Sequence, residues 1–177
     1  QPANIPALHW SEVPEFYKSI SENTVTNLAL RLLILTGVRC FALRHIKIEQ
    51  IDGQIWTVPG QNRKGQVDKV SDFRMALSDQ VRDIIKLALP FEKDGYLFPD
   101  IRKGVISDAT MSRMMQRRGM IARPHGFRSS LRTWLADCKD ALEEVAETIL
   151  SHSPGNRVVK AYRRTDFFEQ RAILMQR

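Results

Sequence analysis

Along the chain the spacing of apolar side chains changes character twice. Residues 13–20, VPEFYKSI, predict a short helix with Pro14 tolerated in its first turn. Residues 22–37, ENTVTNLALRLLILTG, set Leu28, Leu32 and Leu35 at helical spacing in an otherwise apolar run. They predict a buried helix closed by Gly37. Over 46–58, IKIEQIDGQIWTV, the period drops to two, and Asp52-Gly53 between two apolar runs is a strong hairpin signal. Residues 67–77 offer a third strand, and the turn-rich PGQNRKGQ (59–66) lies between. From Ser78 onward the helical period returns. Ser78 is placed to cap a helix over 79–89, and Ser107 one over 108–119 that Gly119 ends. FRSSLRTWLADC, LEEVAETILSH, RVVKAYRR and FFEQRAILMQ follow as further helices. The chain reads as α+β, mostly α-helical, with one small antiparallel sheet in its N-terminal part.

Composition narrows the class. The 177 residues are 43% hydrophobic and 27% charged, enough to build a core and unlike a disordered chain. No stretch approaches the length of a membrane span, and no signal peptide is visible, so a cytoplasmic setting is expected. Cys40 and Cys138 are too few for a disulfide framework and have no metal-ligand spacing; each is expected to be small and at least partly buried. The sequence begins QPANIPALHW, without Met, as a piece excised from a longer chain would.

Charge changes the picture more. The formal net charge is +7. Between Arg102 and Arg132 stand eight Lys or Arg against a single acid, Asp108, so this stretch alone matches the charge of the whole chain. Solvated helix faces are the ordinary account of such a run; a polyanion-binding surface is the alternative. Arg113, Arg117, Arg118, Arg123 and Arg132 in this stretch, and Arg63 in the earlier loop, are the candidate phosphate contacts.

Four short pieces offer chemistry: TGVRC with Arg39, NRKGQ with Lys64, HGFRSS with His125 and Arg128, and LSHSPGNRVVKAYRR with His152 and Tyr162. Singly, each has a bland explanation as a surface charge, a cap or a core residue. In a helix His125 and Arg128 would share one face.

Taken together, the order Arg…Lys…His-x-x-Arg…His…Tyr with these flanks resembles the catalytic domain of the tyrosine recombinases, the phage integrase family, most closely those of satellite phages and genomic islands. HGFRSSLRTWLAD and LSHSPGNRVVKAYRRTDFFEQRAILMQ carry most of the likeness; ALHWSEVPEF is similar to the start of that domain. The resemblance implies site-specific DNA recombination. Tyr162 would attack a DNA phosphodiester, leaving a 3′-phosphotyrosine and a free 5′-hydroxyl. Arg39 and Arg128 would fork onto the non-bridging oxygens. His125 and His152 would add donors there and help move protons, and Lys64 would protonate the leaving oxygen. No metal or cofactor is implied. The implied partner is double-stranded DNA, held by the isolated domain as a monomer and by the full-length protein as a homotetramer. A host DNA-bending protein and a bacterial, nucleoid-associated location belong to the same expectation.

Several features depart from the family pattern. Ala42 stands where an acid usually follows the first arginine, and Cys40 where proline is usual. The lysine loop is long, so Lys69 rivals Lys64. The arm-binding and core-binding domains that precede such a domain have no counterpart in 1–177, which reads as the catalytic domain alone. Residues 166–177 are expected as a tail helix that packs in cis, lies free or exchanges between subunits. Three rivals remain at this point: a type IB topoisomerase, a non-catalytic DNA-binding module in which Tyr162 is packing, and a helical scaffold protein with a basic face.

Overall fold

The computed structural model describes residues 5–63, 70–139, 141–151 and 165–177. Its central element is helix α2 (Val25–Thr36), in which Leu28, Leu30, Leu32 and Leu33 are fully buried. Thr24 caps it by accepting from the Asn27 amide at 3.2 Å, so the helix starts two to three residues later than the apolar pattern suggests. Gly37 ends it with a left-handed φ of 61°. α1 (Val13–Ser19) precedes it, with Pro14 in the first turn as expected.

The predicted hairpin forms, but shorter. β1 (Ile51–Asp52) pairs antiparallel with β2 (Ile55–Val58), and β2 with β3 (Phe73–Ala76), in the order β1-β2-β3. The register sets Ile51 opposite Trp56 and Val58 opposite Phe73. Residues 48–50 make a 3-10 turn instead of extending the strand, because the Gln50 side chain folds back to accept from the Lys47 amide and the Trp56 indole. Trp56, Val58 and Met75 turn one face of the sheet into the core beside α2.

Helix α3 (Cys40–Arg44) follows α2 directly, and α4 (Asp79–Ala88) packs along α2. Ser78 caps α4 as predicted, accepting from Val81 at 3.2 Å. Ser107 does not cap α5 (Thr110–Arg117): its hydroxyl pairs with that of Thr110 at 2.9 Å, and the helix begins at 110. α6 (Phe127–Lys139) and α7 (Glu143–Ile149) build a second, smaller core around Leu135, Val145, Ala146 and Ile149. The tail helix α8 (Phe168–Gln176) lies on its own chain, against β3 and α7, with Leu174 and Met175 joining that second core. Cys40 is half-buried; Cys138 is exposed, on the solvent side of α6 beside Ala136 and Asp137. Among the described residues no helix is long and apolar enough to cross a membrane.

Candidate active site

The site grows out of the two places where the core helices end. Gly37 turns the chain at the end of α2, with a conformation that favours glycine and no room for a side chain: a Cβ there would stand 2.6 Å from Leu131 Cδ2. Two residues on, Arg39 is the extended residue at the head of α3, half-buried. The Arg39 carbonyl accepts from the Leu43 amide at 3.0 Å, and among the described residues none accepts a hydrogen bond from its guanidinium or pairs with it. Its pKa is lowered from the ordinary value by burial.

Arg128 comes from the first turn of α6 and is only 6% exposed. Its Nη1 donates to the Gly37 carbonyl, and its Nη2 to the Leu150 carbonyl at 2.7 Å. One side chain thus ties the end of α2 to the end of α7. Burial first, and then the charge of Arg39, bring its pKa down to about 10, so it stays protonated at neutral pH.

Arg63 completes a cluster. It leaves the 3-10 turn Gly60–Asn62 half-buried, donates from Nε to Ser151 Oγ at 3.1 Å and from Nη1 to the Ser71 carbonyl at 2.5 Å, and sits over the Phe73 ring. Burial and then Arg39 lower its pKa. The loop that bears it is pinned at its base. Gly60 approaches the strand-side backbone so closely that a Cβ would lie 1.8 Å from the Val70 carbonyl oxygen, and its amide donates to Asp72 Oδ1 at 2.9 Å.

Arg39, Asn62, Arg63, Arg128 and Ser151 line one small depression, with Ala42 and Val58 also in its wall. Among the described residues that line it none is a carboxylate. Three guanidiniums held together in a partly dry site repel one another, and an anion seated between them relieves that repulsion. A tetrahedral oxyanion is the group whose geometry a guanidinium fork matches best. Ala42 is 2% exposed, so the position where the family carries an acid presents only a methyl group to the cluster.

His125 is on a 3-10 turn, Pro124–Gly126, ahead of α6 instead of within it, and is exposed where Arg128 is buried. The turn runs directly into α6 at Phe127, so the pair stands across the junction of a 3-10 turn and a helix and not within one α-helix. Lys64, its rival Lys69, His152, Tyr162 and the helix expected over RVVKAYRR lie outside the described residues.

The candidate phosphate contacts divide. Arg63 joins the cluster. Arg113 and Arg117 are exposed on α5. Arg118 is turned to Ser19, donating to its hydroxyl at 2.9 Å. Arg123 donates from Nη1 to the carbonyls of Met120, Ile121 and Ala122. Arg132 pairs with Glu147 at 2.7 Å across α6 and α7. Sequence reasoning missed Asn62 and Ser151 in the site wall, and the fully buried Arg171 of α8. The signal for Arg171 was a lone cation inside the otherwise apolar run RAILM.

Comparison with known proteins bears on the family and the fold. The model of the phage integrase family matches residues 7–169. Prophage integrase IntA of Escherichia coli strain K12 is 25% identical over 187 residues, covering 99% of this chain and 44% of that protein. The integrase from mycobacterium phage Brujita superposes with a TM-score of 0.72 at 22% identity, over 99% of this chain and 59% of that one. A lambda integrase tetramer bound to a Holliday junction superposes with a TM-score of 0.65 at 17% identity, over 89% of this chain and 49% of that one. The chain spans less than half the length of the curated relatives it matches, 38% of one and 44% of another.

Proposed function

The chain belongs to the phage integrase family, and from that premise we propose that it breaks and rejoins DNA strands in site-specific recombination, with the arginine cluster as its phosphate site. The observation that carries this reading is the convergence of Arg39, Arg63 and Arg128 on one depression, with no carboxylate among the described residues that line it. Attack on a phosphodiester piles charge onto the non-bridging oxygens. Preorganised cationic donors aimed at that charge are usually the largest catalytic term, roughly 3–4 kcal/mol for one donor. Arg39, whose donors no described residue engages, is the group placed to fork onto those oxygens. Arg128, fixed by its two carbonyl partners, supplies charge at a set position.

In the proposed reaction the Tyr162 phenol gives its proton to a neighbouring imidazole, His125 or His152, and its oxygen forms a bond to phosphorus. The bond from phosphorus to the 5′ oxygen breaks, and that oxygen takes a proton from Lys64 to become a free hydroxyl. His125 and His152 assist at the non-bridging oxygens and in proton movement. A phenol has a pKa of about 10 and needs the help of nearby cations to ionise at neutral pH. The phosphotyrosine keeps the energy of the broken bond, so reversal of the step religates DNA without ATP.

The lambda integrase neighbour is a tetramer on a Holliday junction. We carry that assembly to this protein as part of the same proposal: double-stranded DNA is the substrate, and the full-length protein works as a homotetramer. The exposed Arg113 and Arg117 are assigned to neighbouring phosphates, where they would set register without reading sequence.

The test is a trapping assay. A nicked duplex that loses a short 3′ fragment on cleavage cannot be religated, so covalent protein–DNA product accumulates and shifts on a denaturing gel. The expected result is a shifted band with the chain and none with Tyr162→Phe. Salt-sensitive DNA binding with no covalent band in either protein would overturn the proposal in favour of a binding module.

A further inference from the structure

The backbone of residues 6–8 runs against the turn that carries His125. The Pro6 carbonyl accepts from the Arg123 amide at 3.1 Å. Gly126 comes so close to the same carbonyl that a Cβ on it would stand 2.3 Å from the Pro6 oxygen and 2.8 Å from Ala7 Cα. In the first turn of α6 the Ser130 hydroxyl, 6% exposed, donates to the Leu8 carbonyl. Leu8 itself packs against the main core. Contacts at Arg123, Gly126 and Ser130 thus fasten one strap of backbone across the turn and the start of α6.

The other sides of the turn are held too. The Arg123 guanidinium donates to the carbonyls of Met120, Ile121 and Ala122. Phe127 stacks on Phe16 with ring centroids 5.7 Å apart. Arg128 is tied to the carbonyls of Gly37 and Leu150. For α6 to retreat from the strap it would have to give up these contacts, whereas Pro6 and Ala7 are exposed. Gly126 is not among the glycines of positive φ, so the close approach alone requires it. The atoms it meets are backbone, which cannot swing aside as the end of a side chain can.

The order of these contacts along the chain matters. His125 lies between the first and second points of attachment, and Arg128 between the second and third. We propose that residues 6–8 are a strap that sets His125 in place relative to Arg128, with Gly126 and Ser130 as positioning residues. The catalytic part rests on the assignment of His125 to the phosphate site above; the strap itself rests on the contacts alone.

The experiment places Gly126→Ala and Ser130→Ala in the parent chain and again in His125→Ala, and reads two quantities. The first is nuclear magnetic resonance of the parent-background proteins. The Arg123 amide, freed from Pro6, is expected to exchange about tenfold faster in Gly126→Ala while the amides of α2 stay unchanged, and the His125 Cε1 proton signal is expected to shift. Ser130→Ala, which removes only a hydroxyl, is expected to act in the same direction and less. The second is the single-turnover rate of covalent product on the nicked duplex at saturating DNA. A catalytic group set about 1 Å off lowers such a rate about 10²-fold, the loss expected of Gly126→Ala. Ser130→Ala is expected to lose about three- to tenfold, the worth of one hydrogen bond. In the His125→Ala background the group they position is gone, so each is expected to change the rate by less than about twofold.

Unchanged exchange at Arg123 in both variants, equal acceleration in α2, or an unshifted His125 signal would overturn the strap. Equal losses of rate with and without His125 would overturn the positioning role, since a defect of folding alone is additive. If His125→Ala cleaves at the parent rate, or the parent forms no covalent product, the catalytic assignment of His125 falls, and the exchange and the His125 signal alone decide the strap.

Discussion

Replacing Arg128 with Met separates what this side chain does for the fold from what it does for the phosphate. The fold loses two hydrogen bonds from a charged donor, to the carbonyls of Gly37 and Leu150. Bonds of that kind are worth about 1.5–3 kcal/mol each, so the loss is roughly 3–6 kcal/mol. Against it stands the relief of a buried cation. Folding lowers the pKa of Arg128 to about 10, which at about 1.4 kcal/mol per pH unit is a penalty of roughly 3 kcal/mol at neutral pH. The two nearly offset, and the variant should be less stable by only about 0–3 kcal/mol. Urea unfolding followed by circular dichroism measures this. The covalent step should fall about 10²–10³-fold in the trapping assay, because a cationic donor has left the site of developing charge. A stability loss beyond about 5 kcal/mol would refute the offset and make Arg128 a structural pillar. Cleavage within about threefold of the parent would refute its place at the phosphate.

The same shift has a pH signature: the penalty is complete below the folded pKa and fades as pH rises above about 10. The parent should therefore gain stability relative to Arg128→Met through that window, and a difference in urea midpoints that is flat with pH would contradict the burial account. Gly37→Ala forces a side chain into a left-handed conformation 2.6 Å from Leu131 Cδ2; a loss of about 2–4 kcal/mol is expected in urea unfolding, and one below about 1 kcal/mol would contradict the close approach. Ala42→Glu sets a carboxylate under the cluster, where it should steady Arg39 and raise the covalent rate about tenfold; an unchanged rate would show that the missing acid does not limit this chain.

The parts of the fold that the sequence made legible were those fixed by local chemistry. The apolar run of α2, its glycine stop, the Asp52-Gly53 turn and the Ser78 cap depend on neighbours within four residues, and each is present. The parts that escaped depend on contacts distant in sequence. Nothing in the basic stretch 102–132 distinguishes Arg132, which finds Glu147, or Arg118, which finds Ser19, from the exposed Arg113 and Arg117. Nor does the spacing of His125 and Arg128 reveal that His125 stands exposed on a 3-10 turn ahead of the helix that buries Arg128. At the site, Arg39 and Arg128 were legible through order and flanks. The entry of Arg63 into the same depression was not, since it follows from the bend of the 60–63 turn against Ser151. The burial of Arg171 was hidden for the same reason: its partners, Arg74 and Asp166, meet only when the tail helix docks on β3.

The central claim, that this chain cleaves DNA through a tyrosine held at the arginine cluster, is tested most directly by mapping the covalent product. The trapped protein–DNA complex would be digested with protease and nuclease, and the modified peptide sequenced by mass spectrometry. The account predicts a nucleotide joined through its 3′ phosphate to Tyr162, in a single peptide from the segment 157–163. A nucleotide on any other residue, or no modified peptide from a chain that binds the same duplex, would contradict it.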